Sequence, residues 1–219
     1  MATVYTVGVT GRGATRERLL STAKTLFAAR GYEHTSTSAI ARQAGTSESQ
    51  LMKHFGSKAG LLEAIFAGCW SHITEQAQSA IATVASPRQK LTLASGIVVE
   101  TMQRDPEMKL LMLLEGRRIR REGQMIRLTH GFMSFVELLD GILEEMKAAG
   151  EIRPHLSTQA VRSGLMGMIE GMMRDRFLAD RLGYPASFET QHIAELMELF
   201  LASCRPSLFS VASNRATVQ

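Results

Sequence analysis

The sequence predicts an all-α protein in which a small N-terminal helical domain precedes a larger helical one. Three observations carry this reading. Apolar residues recur at intervals of three and four along most of the chain, glycine and proline divide these stripes into segments of ordinary helix length, and only one stretch shows the alternation of a strand. That stretch, TVYTVGVTGRG, ends in glycines before a helix, as a dinucleotide-binding unit does. It fails the GxGxxG spacing, since the residue three beyond Gly13 is Arg16, and it has no second strand to pair with. Residues 1–13 are therefore expected to form a flexible arm. Leu19, Ala23, Leu26 and Phe27 then mark a helix over 15–30 that stops at Gly31. Two short helices over 37–44 and 47–54 flank Gly45. Leu61, Leu62, Ile65, Phe66 and Cys69 stripe a long one over 57–82. Pro87 and Pro106 open helices over 88–104 and 107–117. Phe132, Phe135, Val136, Leu139, Ile142, Leu143 and Met146 belong to one over 120–149, closed by Gly150 and Pro154. Helices over 157–181 and 188–204 follow, separated by Gly183 and Pro185, and a flexible tail is expected over 206–219. The domains divide as 14–60 and 61–205.

Composition narrows the function. Apolar residues at 45% and charged residues at 21% suit a chain with a packed core. Cys69 and Cys204 stand alone, without a CxxC, which argues against a disulfide scaffold or a cysteine zinc site. No apolar run reaches the roughly 18 residues of a membrane span, and Arg12 is the first basic residue, so no secretory leader is seen. A cytoplasmic protein without membrane partners is expected. The net charge of +4 is unevenly placed. Residues 1–60 hold eight basic side chains (Arg12, Arg16, Arg18, Lys24, Arg30, Arg42, Lys53, Lys58) against three acidic ones (Glu17, Glu33, Glu48), whereas the rest holds 17 against 18. A basic short domain suits a polyanionic partner, although a solvated basic surface would have the same count.

Within that domain, Thr37 to Phe55 reads as a helix-turn-helix. Gly45 permits the tight exit from the first helix, and small Ala41 and Ala44 allow the two helices to cross closely over Ile40, Leu51 and Phe55. Ser47-Glu48-Ser49-Gln50 is a capping box that sets where the second helix begins. With Leu51 and Phe55 inward, Glu48, Ser49, Gln50, Met52, Lys53 and His54 lie on or near the outer surface. Eight residues make a rod of about 12 Å, the width of a major groove. Gln50 suits an adenine edge and Met52 a thymine methyl, while Ser49, Lys53 and His54 suit bases or phosphates alike. Ser57 with Lys58, and Thr35, Ser36 and Thr37, open helices where exposed N–H groups favour a phosphate, a position that ordinary capping explains equally well.

The string RERLLSTAKTLFAARGYEHTSTSAIARQAGTSESQLMKHFGSKAGLLEAIF, within Ala14 to Trp70, resembles the DNA-binding domain of the tetracycline-repressor (TetR) family. The GEIRPHL turn at Gly150 to Leu156 and the helix order extend the likeness. The resemblance implies that Thr35, Ser36, Thr37, Ser47, Ser49, Met52, Lys53, His54 and Lys58 occupy positions used on DNA. It implies also a homodimer on a palindromic operator, acting as a repressor, and a small-molecule effector bound in the larger domain. Three positions depart from the family pattern: Met52 replaces the usual tyrosine, Glu48 a basic or small residue, and Gly60 an acidic one.

Eleven of the 13 methionines lie beyond the first domain, as an adaptable apolar pocket or a plain core would have them. Gly164, Gly167 and Gly171 each cost a helix about 1 kcal/mol relative to alanine, which a close neighbour would offset. The resemblance implies that the last two long helices pair between subunits, with Gly164, Gly167, Met168, Gly171, Met172, Leu196, Leu199 and Phe200 as the candidate interface. The run Arg117, Arg118, Arg120 and Arg121 is flanked by Glu115 and Glu122 and reads as a solvated turn. Enzyme readings find little. Glu189 and His192 form an ExxH, but a carboxylate-bridged di-iron bundle needs two copies, and HExxH, GxSxG and GxxxxGK[ST] are absent. No metal or cofactor is expected. A helical metal enzyme and a sequence-blind DNA-organising protein stand as the other readings.

Overall fold

The computed structural model describes residues 11–115 and 129–206. Most of the expected arm and tail, the Arg117 to Arg121 run and the start of the helix expected over 120–149 lie outside the described residues. Among those described, nine helices and no strand are present: α1 Gly11–Arg30, α2 Thr37–Gln43, α3 Glu48–Phe55, α4 Lys58–Ile81, α5 Pro87–Arg104, α6 Pro106–Glu115, α7 His130–Ala148, α8 Thr158–Leu182 and α9 Gln191–Ser203. Among the described residues α1 already runs from Gly11, four residues before the expected Thr15. The α9 helix starts later than 188, since His192 Nδ1 accepts from the Glu189 N–H (2.9 Å) in a turn of its own.

The chain divides into two compact units, Met1–His72 with Met102–Phe132 and Ile73–Thr101 with Met133–Gln219. In the first, Leu19, Ala23 and Phe27 of α1 are buried with Ile40 and Ala41 of α2, Leu51 of α3, and Leu61, Leu62 and Phe66 of α4. Each large side chain so enclosed contributes roughly 1.5–3 kcal/mol. The α6 helix packs on α1. Asp105 caps it by accepting from the Met108 N–H (2.9 Å) and pairs with Lys24 (2.5 Å), while the Thr25 hydroxyl donates to Glu107 (3.1 Å). Where α7 begins, a Cβ on Gly131 would stand 2.6 Å from the Ser71 nitrogen, so only glycine lets the two backbones come this close.

Burial pushes the half-buried Cys69 thiol up to about 12; the nearby Asp105 carboxylate adds to this and Lys24 opposes it. A thiol near its ordinary value of 9.0 in the unfolded chain loses its proton first as pH rises. The folded state then holds the extra proton, so the stabilisation is complete below pH 9 and is lost as pH climbs toward 12. Native protein at pH 9.5 is expected to resist iodoacetamide at Cys69 until denaturant is added, and Cys69→Ala should flatten the alkaline fall in melting temperature.

The second unit has its core at Leu91 and Ala94 of α5, Leu139, Ile142, Leu143 and Met146 of α7, Val161 and Leu165 of α8, and Ile193, Met197 and Leu201 of α9. Arg88 gathers three segments by pairing with Glu151 (3.0 Å) and Glu198 (2.6 Å), and the Arg153 N–H donates to the Cys204 carbonyl (2.9 Å). Met102, Met108, Met146 and Met197 are plain core, whereas Met166, Met168, Met172 and Met173 are half-buried along α8.

Candidate nucleic-acid interface

The α3 helix is short, and its position comes from its two ends and one anchor. Ser47 is extended (φ −95°, ψ 155°), and its hydroxyl accepts from the Gln50 N–H (3.3 Å), the forward half of the expected capping box. Gly56 ends the helix at φ +71°, a conformation that disfavours side chains, and its N–H donates to the Met52 carbonyl (2.8 Å). Leu51 is the anchor, with 0% exposure. Phe55 is only half-buried and lies 5.6 Å beneath the Arg16 guanidinium. Ser49, Gln50, Met52 and Lys53 are exposed, Met52 to 43%, and His54 is half-exposed.

The α2 helix is fixed at its start, its end and its junction with α3. The Ser36 hydroxyl accepts from the Ala39 N–H (3.2 Å), and Arg18 Nε donates to the Ala44 carbonyl (3.2 Å). Across the turn, the Thr37 hydroxyl donates to Glu48 Oε1. Gly45 takes φ +65° between the two helices. Gly60, one of the three departures, has a local reason: a Cβ there would lie 2.1 Å from the Phe55 carbonyl oxygen, so the end of α3 rests on the start of α4.

Two of the expected residues are turned inward. Thr35 is 2% exposed, and its hydroxyl donates to the Gly31 carbonyl (2.8 Å), so its side chain closes the α1–α2 turn rather than facing outward. Lys58 Nζ donates to the carbonyls of Tyr32 (3.0 Å) and Thr35 (3.1 Å) and stands 4.4 Å from the centre of the Tyr32 ring. It is a clasp on the same turn. The excess of basic residues is likewise divided: Lys24, Arg18 and Lys58 serve the fold. Arg30, Arg42 and Lys53 are exposed, with no side-chain partner among the described residues. Arg42, in the last turn of α2, is the candidate that residue-by-residue reading overlooked; its signal was a lone basic residue on the polar face of α2.

In the second unit, Gly164 meets Phe200 of its own chain, since a Cβ there would lie 2.9 Å from that ring, so an intrachain contact explains this glycine. Gly167 has nothing within 4 Å of a Cβ, and Leu196 and Leu199 are exposed to 42% and 65%. Met168, Met172 and Gly171 are half-buried. Among the described residues no group of three His, Cys, Asp or Glu side chains could hold a metal, and Glu189 of the ExxH pairs with Arg176 (3.2 Å). No described helix is long and apolar enough to cross a membrane.

Comparison with known proteins agrees with this fold. Residues 19–65 match the family described as bacterial regulatory proteins, tetR family, and residues 66–197 match the C-terminal region of YsiA-like proteins. The fatty acid metabolism regulator protein of Bacillus subtilis is 25% identical over 153 residues, covering 70% of this chain and 78% of that one. The HTH-type transcriptional regulator UidR of Escherichia coli is 26% identical over 180 residues, covering 80% and 87%. Among solved structures, the regulator FadR of Bacillus subtilis in complex with stearoyl-CoA superposes with a TM-score of 0.74 at 23% identity, over 85% of this chain and 97% of that one.

Proposed function

Because the chain belongs to the tetR family of bacterial regulatory proteins, and so is a DNA-binding regulator of transcription, we propose that it is a cytoplasmic homodimeric repressor of a palindromic operator. The observation that carries this is α3 itself, a rod pinned by Leu51 whose Ser49, Gln50, Met52 and Lys53 face outward. Ser36, Ser47, His54 and Arg42 flank it as contacts to the DNA backbone, with Thr37 through its main-chain N–H at the start of α2, since phosphates position a protein that base edges then specify. Thr35 and Lys58 contribute from inside, by shaping the turn that places α2. Lys58→Met is accordingly expected to weaken every site alike while leaving the slope of log affinity against log salt unchanged. A slope shallower by about 0.9 would assign Lys58 a phosphate instead.

The exposed Leu196 and Leu199 with bare Gly167 support a second copy as the partner of α8 and α9, because a two-fold pair of such faces is self-complementary. The effector we propose is a long-chain acyl-CoA. The printed names of the Bacillus subtilis matches support that class, and so do half-buried Met166 and Met173 of α8, which repack readily around an apolar chain. Release from DNA then requires the ligand to favour one arrangement of the dimer over another, since only differential affinity shifts an equilibrium. Footprinting of the DNA flanking the gene, with and without stearoyl-CoA, is expected to reveal a protected palindrome that the ligand clears. Protection unaffected by any acyl-CoA, with no thermal shift, would refute the effector class. Equal protection of all competitor DNA would favour a sequence-blind organiser.

A further inference from the structure

We propose that Glu48 is a specificity-determining residue that selects a cytosine in the major groove by accepting a hydrogen bond from its exocyclic amine. The inference rests on the reading of α3 as the helix that enters the groove. Glu48 is the first residue of α3 and is exposed. An acid at this place is unexpected, because it faces the same polyanion that the basic residues around it would attract. Structural pairing does not account for it: among the described residues no Lys, Arg or His lies within ion-pair distance of its carboxylate. One tie is made. The Thr37 hydroxyl, from the neighbouring helix α2, donates to Oε1, and Oε2 has no partner among the described residues. The carboxylate is therefore oriented at one oxygen and open at the other.

The base edges decide what such a group can read. In the major groove guanine presents N7 and O6, both acceptors, and thymine presents O4, so a carboxylate is repelled by either. Adenine pairs its N6 donor with the N7 acceptor beside it, which suits an amide better than a carboxylate. Cytosine alone presents a donor, N4, with no acceptor next to it on the same base. A carboxylate facing bases is thus a filter that accepts cytosine and rejects the others, partly by leaving itself and the wrong base unpaired. An acid in the first turn also favours its own helix through the dipole. That alternative predicts a change in stability and none in base preference, so experiment separates the two.

The test is selection of duplex DNA from a random pool by the purified full-length protein, followed by titration of single-base variants of the selected site. The wild-type protein is expected to require one cytosine in each half-site, with a loss of about 5- to 150-fold for any other base there. Glu48→Ala should bring the four bases at that position within about two-fold while keeping discrimination elsewhere. Glu48→Gln should move the preference to adenine, because the amide both donates and accepts. Thr37→Val should blunt the cytosine preference by freeing the carboxylate. If Glu48→Ala binds more tightly everywhere with its base preferences unchanged, the acid merely repels DNA and the proposal is overturned, although α3 remains the reading helix. If the wild-type protein enriches no sequence at all, the reading of α3 fails and this inference fails with it.

Discussion

Leu51→Ala is expected to lower the unfolding free energy by about 2–5 kcal/mol, the range for emptying a fully buried leucine site, and to abolish sequence-specific DNA binding. Leu51 has no exposed surface, and it is the one residue of α3 that is fully enclosed among the neighbouring helices. Eight residues are too few for a helix to persist by itself, so α3 keeps its shape through packing and its caps. Removing the anchor leaves Ser47 and Gly56 to hold the two ends with nothing between them. Urea melts and titration against the footprinted site measure both effects. A variant of wild-type affinity, or one that loses less than about 1 kcal/mol, would show that α3 is held by something other than Leu51.

The double change Leu196→Glu with Leu199→Glu is expected to convert the proposed dimer to a folded monomer and to weaken operator binding by about a hundred-fold or more, since one reading helix then binds without its partner. Both side chains face outward on α9, so the monomer fold should be spared; Ile193, Met197 and Leu201 supply the inward face. Across a two-fold axis each new carboxylate meets its like, and desolvating them without a partner is prohibitive. Sedimentation velocity reads the mass, and circular dichroism checks that helix content is kept. A variant that sediments as a dimer would remove α9 from the interface. Gly164 is not an equivalent target, because a side chain there strikes Phe200 within the same chain and would test folding rather than assembly.

Much of this was legible from residue order. Ser47 as a cap and Leu51 as an inward anchor follow from a 3.6-residue period and from the geometry of a helix start, both local rules. Gly45 and Gly150 signalled turns and indeed take φ of +65° and +71°. The all-α class followed from the same rules summed along the chain.

Direction in space did not follow, because it depends on neighbours far away in the sequence. Thr35, Ser36 and Thr37 are equivalent as hydroxyl residues before a helix, yet one is buried against Gly31, one caps α2, and one reaches α3. Lys58 follows a cap in the same way that a phosphate ligand would. Its amine instead finds two carbonyls and a ring 23 to 26 residues earlier. Gly164 reads as a seam between subunits until Phe200 is seen over it. Local propensity, short in range, was thus settled by the chain alone. Which polar groups turn inward to satisfy buried partners is a matter of tertiary packing, since an unpaired carbonyl inside the protein costs more than a lysine kept from solvent.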